Sequence, residues 1–143
     1  MRRVLVIGSG GSGKTTVSRL LAEKTGLPLF HLDALYWRPG WVEPSKAEWL
    51  ETVQRLIAGD RWILDGNYGG TLRLRLDACD TVVFLDLPRL VCLGNVVRRR
   101  LEHLGRTRVD IAAGCPESIH AAMACSGTTA SLSVHAARCW LFR

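Results

Sequence analysis

The feature that most constrains the fold of this chain is a glycine-rich octapeptide, GSGGSGKT at residues 8–15, which directly follows an apolar run at residues 4–7. It fits the pattern G-x-x-x-x-G-K-[ST], and apolar side chains then recur at helix spacing. A strand, a glycine loop and a helix in this order form the context in which such a segment binds phosphate. The alternative is a glycine-rich turn that binds nothing, and it leaves the lysine and the flanking elements unexplained.

Each residue type in this loop has its own chemical reason to be there. Glycines let backbone N–H groups approach phosphate oxygens, and the following helix points its unpaired N–H groups and positive dipole end at the same anion. Lys14 would neutralise charge on the β- and γ-phosphates, and the Thr15 hydroxyl would bind Mg²⁺. We predict that nucleotide phosphates are bound by Gly8, Gly10, Gly11, Ser12, Gly13, Lys14, Thr15 and Thr16.

Length and composition limit the class of protein. A chain of 143 residues with 48% hydrophobic and 22% charged residues is typical of one soluble domain. No apolar run approaches the roughly 18 residues of a membrane span, and the first run is interrupted by the glycine loop, unlike an export signal. We therefore expect a cytoplasmic protein without a membrane partner. Its five cysteines form no C-x-x-C pair and are expected to be reduced thiols.

Predicted strands alternate with predicted helices. Continuous apolar runs predict strands at residues 4–7, 29–32, 62–64 and 81–85. Helices are predicted at residues 14–24, between Ser45 and Gly59, and between Pro88 and Gly105. We expect the last two to bury apolar stripes, formed by Leu50, Val53 and Ile57 and by Leu90, Leu93, Val97, Leu101 and Leu104. This pattern predicts an α/β fold of the three-layer P-loop NTPase type, a parallel sheet with helices on both faces.

Three aspartates follow the predicted strands, at the sheet edge where such folds place ligands. Asp65 is the first choice for organising Mg²⁺, because a phosphate-loop enzyme needs a carboxylate for the metal or its water shell. Asp33 is interpreted either as an acceptor-binding base or as a turn residue. Asp86 precedes Leu87 and Pro88 and is better interpreted as a helix cap.

An aromatic loop follows Asp33 and contains Tyr36, Trp37, Arg38 and Trp41. The two tryptophans could stack on an acceptor base or sugar, or they could cover the hydrophobic core, and the sequence favours neither. The loop is therefore the predicted neighbourhood of the acceptor.

The net charge of +6 is concentrated in an arginine cluster at Arg98, Arg99, Arg100, Arg106 and Arg108. Arginines near a phosphate-binding loop can close over a nucleotide and stabilise the charge of a transferring phosphoryl group. The same cluster could bind the phosphates of a nucleic acid or be a solvated helix face. We favour the nucleotide interpretation.

Several ordered segments together resemble one family: RVLVIGSGGSGKTT, LPLFHLDALYWRPGW, WILDGNY, RLDACDTVVFLDLPR and RRRLEHLGRTRVDIAAGCPE. They are similar to the adenylate-kinase-like proteins known as DNA topology modulation proteins, over about residues 1–117. The resemblance implies a P-loop kinase fold with a parallel five-stranded sheet, ATP as the nucleotide, and a core at residues 1–117 whose lid spans residues 98–117. It implies catalytic roles for Lys14 and the lid arginines Arg99, Arg100 and Arg106, to which we add Asp33, and it places Asp65 at a metal-binding aspartate.

The chain departs from adenylate kinases directly after Asp65, where Asn67, Tyr68 and Gly69 replace Phe-Pro-Arg. The arginine that would grip an acceptor phosphate is therefore missing, and Arg73 or Arg75 could substitute for it. We predict an acceptor site formed by Asp33, Tyr36, Trp37, Arg38 and Arg75. The acceptor is predicted to be a nucleotide or a similar small molecule.

The chain changes character after Glu117. All 13 acidic residues lie at or before that position, and the atypical tail at residues 118–143 is rich in Ala, Ser and Cys. We hypothesise that a frameshift has replaced the native carboxyl terminus. The gene should then encode a kinase-like continuation in another reading frame, and its absence would refute the hypothesis.

The sequence thus predicts an enzyme that transfers the γ-phosphoryl group of Mg·ATP to a small acceptor. The alternatives are an ATP-dependent, nucleic-acid-binding regulator of DNA topology and a truncated, inactive product. These three functions assign different roles to the arginine cluster and to the tail. A structure of the core therefore tests some of them more directly than others.

Overall fold

The computed structural model describes residues 1–103, 114–115 and 140–142. These residues form five strands and five helices. In chain order they are β1 (Arg3–Gly8), α1 (Lys14–Thr25), β2 (Leu29–His31), α2 (Leu32–Tyr36), α3 (Lys46–Ile57), β3 (Trp62–Asp65), α4 (Gly69–Ala78), β4 (Thr81–Leu85), α5 (Arg89–His103) and β5 (Trp140–Phe142). None of the helices in the described part of the chain combines the length and apolarity that crossing a bilayer requires.

The strands form one sheet in the order β2-β3-β1-β4-β5. The first four are parallel, with Leu5 opposite Leu64 on one side and Val82 on the other. β5 is antiparallel to β4, and Leu141 pairs with Val83. The expectation of five parallel strands is therefore wrong at the last strand, whereas the four predicted from apolar runs are confirmed.

Alternating residues of the strands face two separate hydrophobic cores. On one face, Leu5, Leu64 and Trp62 pack with Trp49 and Val53 of α3. On the other face, Val4, Val6, Ile63 and Val83 pack with Val17, Leu21 and Ala22 of α1. Helices thus cover both faces, which is why the strands are apolar at every position rather than at every second one.

The segment after β2 differs from its prediction. Leu32 does not extend the strand but begins the short helix α2, and its side chain is fully buried in the core. Asp33 therefore lies in the first turn of a helix. The helix α4, like α2, was not predicted from the sequence. It begins with Gly69 and Gly70, and its buried residues are Thr71 and Arg75 rather than apolar side chains.

The predicted start of α3 is confirmed. The Ser45 hydroxyl accepts the N–H of Glu48, and the Glu48 carboxylate accepts the N–H of Ser45, a complete capping box. The buried face is formed by Trp49 and Val53, whereas Leu50 is 42% exposed. The expected stripe is thus confirmed at Val53 and, partly buried, at Ile57, and it is wrong only at Leu50, because the larger Trp49 turns inward.

The predicted buried stripe of α5 is wrong. Its described members lie 51–82% exposed: Leu90, Leu93, Val97 and Leu101. The helix instead turns Cys92, Asn95 and Val96 toward the glycine loop, where their atoms contact Gly11. Leu104 lies outside the described residues.

This orientation predicts unequal effects of two substitutions. Leu93→Gln should change the free energy of unfolding by less than about 0.5 kcal/mol, since exposed positions tolerate change. Val53→Ala, at a fully buried position, should cost roughly 2 kcal/mol because it leaves a cavity. Urea denaturation of both variants measures the difference, and equal losses would show that α5 buries its stripe.

The cap of α3 predicts a pH-dependent contribution to stability. Hydrogen bonds from Arg38 and from Ser45 lower the pKa of Glu48 from 4.5 to about 2. Because the folded-state pKa lies below the unfolded value, the charged carboxylate stabilises the fold above pH 4.5, and this contribution is lost as the pH falls toward 2.

Glu48→Gln should therefore be less stable than the parent at pH 7, and the difference should shrink progressively below pH 4.5. Urea denaturation at a series of pH values measures it. Arg38→Gln should show the same trend, because it removes the other partner, and a difference independent of pH would contradict the assignment.

Candidate functional site

The glycine loop adopts a conformation that only glycines tolerate well. Gly8, Gly11 and Gly13 have φ values of 151°, 79° and 86°, and the Ser12 N–H donates to the Ser9 carbonyl at 3.1 Å. α1 begins at Lys14, with Gly13 as its N-cap and without a side-chain capping bond. The amino end of a three-turn helix is therefore left open toward the loop, as a phosphate site requires.

Lys14 is folded back onto its own loop. Its Nζ donates to the carbonyl oxygens of Gly8 at 2.8 Å and Ser9 at 2.9 Å. Burial lowers the pKa of Lys14, and the carboxylates of Asp65 and Asp33 act against this shift. The ammonium group thus lies within electrostatic reach of both predicted carboxylates, at the carboxyl edge of the sheet.

α5 lies directly against the glycine loop. A Cβ at Gly11 would lie 2.3 Å from the Cys92 carbonyl oxygen, so only glycine permits this approach. The Asn95 amide donates to the Gly11 carbonyl at 2.9 Å. One turn further along, Arg99 is close enough to oppose the charged form of Lys14. α5 therefore brings one of the predicted arginines to the phosphate side of the site.

The other predicted catalytic arginines are not placed. Arg106 and Arg108 lie outside the described residues, and so does the Arg100 side chain, although its backbone belongs to α5. Arg98 forms an exposed pair with Glu102 at 3.7 Å. The proposal of an arginine-bearing lid thus rests on Arg99 alone within the described part of the chain.

Asp65 ends β3 and is only 6% exposed. Its Oδ2 lies 2.9 Å from Nδ1 of His31, the last residue of the neighbouring strand β2. No group of three or more His, Cys, Asp or Glu side chains among the described residues could hold a metal ion alone.

Asp33 lies across the edge from Asp65, partly exposed. Its Oδ1 accepts a 2.7 Å hydrogen bond from the Tyr68 hydroxyl. Tyr68 has a left-handed backbone with φ of 32°, and its ring contacts Tyr36 and Trp49 at centroid distances of 4.5 and 4.9 Å. Tyr36 and Trp49 also contact each other at 5.0 Å, so the three rings form one cluster, and a residue with a strained backbone delivers this hydroxyl from it.

Arg75 does not face an acceptor, so its predicted role is wrong. The side chain is fully buried, and its guanidinium donates to the backbone carbonyls of Gly66 and Tyr68 at 2.8 Å, to Asn67, and to Thr71 at 3.3 Å. Burial lowers the pKa of Arg75 to about 10, so the group stays charged at neutral pH. Its donors are used to hold the turn after β3.

The aromatic loop is also more structural than predicted. Trp37 is 3% exposed and packs against Trp41 and Cys115, so the interpretation as a cover over the core is the one that fits. Arg38 pairs with Glu48 at 2.9 Å and so belongs to the cap of α3. Tyr36 stays partly exposed, and burial together with Glu43 raises its pKa.

Two segments of the chain meet at this loop. The Gly40 N–H donates to the Gly114 carbonyl at 3.0 Å, and the Cys115 thiol donates to the Arg38 carbonyl at 3.2 Å. Two residues near the end of the predicted lid segment therefore contact the aromatic loop, whereas Arg99, near its start, lies close enough to Lys14 to oppose its charge.

Sequence reasoning missed four residues that shape this site: His31, Asn67, Tyr68 and Asn95. Asn67 and Tyr68 were noticed only as departures from another motif, and His31 could have been found from its place at the carboxyl end of a strand. Asn95 carries no such signal, because its role depends on how α5 is rotated.

The loop residues fit a bound nucleotide and Mg²⁺. Among the described residues, the buried Ser12 hydroxyl has no hydrogen-bond partner, α1 lacks a side-chain cap, and Lys14 donates to carbonyls of the loop itself. Unsatisfied donors at a helix amino terminus beside an ammonium group are what an anionic phosphate would satisfy.

No family model and no curated protein matches the chain in sequence, but solved structures are similar to it. A shikimate kinase from Acinetobacter baumannii in complex with shikimate has a TM-score of 0.54 and 21% identity, over 77% of this chain and 70% of that one. A sugar kinase from Janibacter sp. HTCC2649 has a TM-score of 0.50 and 22% identity, over 93% and 80%. The fold is that of a P-loop kinase.

The P-loop kinase fold confirms the predicted fold class, with its parallel sheet between helices. At these identities the likeness concerns the fold alone, so activity and substrate are proposals. The resemblance to DNA topology modulation proteins stays a prediction, as does the division into a core at residues 1–117 and an atypical tail.

Because the Arg75 guanidinium of this P-loop kinase fold is buried, we expect substitution of Arg75 to cause a large loss of stability. Arg75→Met would leave buried carbonyls unpaired and should lower the free energy of unfolding by about 3 kcal/mol or more. Arg73→Met is the matched control on the same helix, because Arg73 pairs with Asp77 at the surface and should cost less than about 1 kcal/mol. Urea denaturation measures both, and similar losses would contradict the structural role of Arg75.

Proposed function

We propose that this chain is a Mg·ATP-dependent phosphotransferase that acts on the hydroxyl group of a small acceptor. The observation that carries the proposal is the meeting of an open helix amino terminus, Lys14, Asp65 and Asp33 at one edge of the sheet. Phosphoryl transfer depends mainly on positioning and on neutralising charge, and these residue types supply both.

The nucleotide side is assigned to the glycine loop and α5. Backbone N–H groups at the start of α1 would bind phosphate oxygens, and the Lys14 ammonium, which has three donors, would bind phosphate as well. Thr15 and Asp65 would hold Mg²⁺ and its waters, with His31 supporting the Asp65 carboxylate at 2.9 Å. Arg99, near Lys14, would add a second positive charge.

The acceptor side is assigned to Asp33, with Tyr68 and Tyr36 around it. Bound Mg·ATP would supply the γ-phosphoryl group. The oxygen of the acceptor hydroxyl would bond to the γ-phosphorus while the bond between that phosphorus and the ADP oxygen breaks. Asp33 would accept the proton that the hydroxyl loses. The Tyr68 hydroxyl would keep the carboxylate oriented through its 2.7 Å hydrogen bond. Trp37, Arg38 and Arg75 are left out, because each is used by the fold.

The similar structures support a small acceptor. One is a shikimate kinase bound to shikimate and the other is a sugar kinase, so the fold accommodates acceptors of that size. No contact of the described residues favours a nucleic acid, and the regulator of DNA topology therefore gains no support beyond the arginine cluster itself.

Thermal unfolding with and without Mg·ATP tests the nucleotide site. Mg·ATP at a concentration of about 100 times its dissociation constant should stabilise the parent by roughly 2.7 kcal/mol, which raises the unfolding temperature. Lys14→Ala should abolish this shift of the unfolding temperature. Lys24→Ala, in the last turn of the same helix, is the matched control and should keep it. A cooperative transition without a shift in the parent would refute ATP binding.

Acceptor-stimulated ATP turnover tests the assignment of Asp33. With an acceptor found by screening sugars, nucleosides and hydroxy acids, Asp33→Asn should reduce kcat by about 100-fold or more, because it removes the base. Asp60→Asn, at the opposite end of β3, removes the same charge and should have little effect. Comparable rates for Asp33→Asn and the parent would refute the role of Asp33 as a base.

A further inference from the structure

One face of the helix α5 lies against the glycine loop. Cys92, Asn95, Val96 and Arg99 share that face, at the i, i+3, i+4 and i+7 spacing of a helix. The Cys92 carbonyl lies so close to Gly11 that a side chain at Gly11 would collide with it. The Asn95 Nδ2 donates to the Gly11 carbonyl at 2.9 Å. The loop and the helix are therefore joined at Gly11 by a backbone contact and by a side-chain hydrogen bond.

The apolar side chains of α5 do not fix the rotation of this helix about its axis. Leu90, Leu93, Val97 and Leu101 are largely exposed in the part of the chain that the structure describes. A helix with a buried apolar stripe is oriented by that burial, whereas the described contacts that orient α5 are those at Gly11. Among them the hydrogen bond is the directional one, so it is the contact most sensitive to rotation.

The rotation of α5 decides where the Arg99 guanidinium lies. Arg99 follows Asn95 by four residues, so the two side chains lie on the same face and one turn apart. In this orientation Arg99 is close enough to Lys14 to oppose its charged form. Because a guanidinium lies at the end of a long side chain, a small rotation of the helix moves it farther than it moves the backbone.

The Asn95 hydrogen bond also orients a peptide group of the loop. In a trans peptide the carbonyl and the N–H point in opposite directions. With the Gly11 carbonyl directed at Asn95, the Ser12 N–H points the other way and donates to the Ser9 carbonyl at 3.1 Å. This peptide group is thus held by a hydrogen bond of its own, so we expect the loss of Asn95 to act mainly on Arg99.

We propose that Asn95 is a positioning residue for the nucleotide phosphates: by fixing the rotation of α5 on the glycine loop, it places the Arg99 guanidinium beside Lys14. The proposal rests on the proposed function, and it deepens the account of the phosphate site. A carboxamide suits this task because it donates to a carbonyl without carrying a charge. It therefore neither repels a phosphate nor competes with it for the arginine.

A double-mutant cycle of Asn95→Ala and Arg99→Gln tests the proposal through Mg·ATP affinity in isothermal calorimetry. Arg99→Gln should weaken binding about tenfold and Asn95→Ala about fivefold. In the Arg99→Gln background, Asn95→Ala should change the affinity less than about twofold, because no guanidinium is left to misplace. Lys14 and the open amino end of α1 are intact in every variant, so the affinities remain measurable.

A role of Asn95 in loop shape alone predicts a different result. The two losses would then multiply, and the double variant would bind Mg·ATP about fiftyfold more weakly than the parent. That result, or full affinity in Asn95→Ala, would overturn the proposal. Thermal unfolding without nucleotide shows whether each variant is folded, and we expect α5 to form in Asn95→Ala because alanine favours a helix.

Asn67→Ala is the matched control for the asparagine. The Asn67 Oδ1 accepts the Gly8 N–H at 3.2 Å, and its Nδ2 donates to the Gly8 carbonyl at 2.9 Å. Asn67 therefore also holds the glycine loop, but from the turn after β3 and not from α5. Its fold-change in Mg·ATP affinity should be the same with and without Arg99, and a coupling as large as that of Asn95 would overturn the proposal.

Arg98→Gln is the matched control for the arginine. Arg98 precedes Arg99 and carries the same charge, but it forms an exposed pair with Glu102 at 3.7 Å. Asn95→Ala should therefore keep its fivefold effect on Mg·ATP affinity in the Arg98→Gln background. Loss of the effect there as well would show that Asn95 responds to net charge rather than to Arg99, which would overturn the proposal.

The salt dependence of binding is a readout that a merely structural role would not change. Screening weakens a contact between Arg99 and phosphate, so the Mg·ATP affinity of the parent should fall more steeply with NaCl than the affinities of Asn95→Ala and Arg99→Gln. An equal slope in the parent and in Asn95→Ala would overturn the proposal. Failure of the parent to bind Mg·ATP would instead refute the proposed function, and the two failures are distinguishable because the parent is measured first.

Discussion

The guanidinium of Arg75 is the interaction on which the rest of the site depends. It is fully buried, and it donates to consecutive carbonyls of the turn that follows β3. That turn presents Asn67 to the glycine loop on one side and the Tyr68 hydroxyl to Asp33 on the other. A charged group taken out of water is costly unless its donors are matched, and here four hydrogen bonds to backbone carbonyls offset that cost and hold the turn. The glycine loop and Asp33 are thereby linked through one turn.

Much of the fold could be predicted because it depends on local patterns. Continuous apolar runs marked the four parallel strands, and Ser45 marked the start of α3. The failures have a common cause. Leu90 and Leu93 look buried by periodicity, yet which face of α5 is covered depends on contacts with Gly11. The buried face of α4 is formed by Thr71 and Arg75, so the spacing of apolar residues does not reveal this helix.

The site was predictable where a residue's chemistry is tied to its place in a motif. The glycine loop, Asp33 and Asp65 lie together because parallel strands end at the same edge. Trp37 and Arg75 were assigned to the acceptor by residue type alone, and both are occupied by the fold. The contact of Asn67 with Gly8 could not have been predicted from sequence, because it arises from a turn that places an amide where a strand would have continued.

The antiparallel strand β5 bears on the atypical tail at residues 118–143. A strand at a sheet edge is held chiefly by main-chain hydrogen bonds, which any extended segment can make, and only its side chains are specific. Pairing of residues 140–142 with β4 therefore places few demands on the sequence of that segment. A parallel fifth strand would need a crossover connection of its own, whereas an antiparallel one needs only a chain that returns. The edge of this sheet is thus a place where segments of very different sequence can complete the same fold.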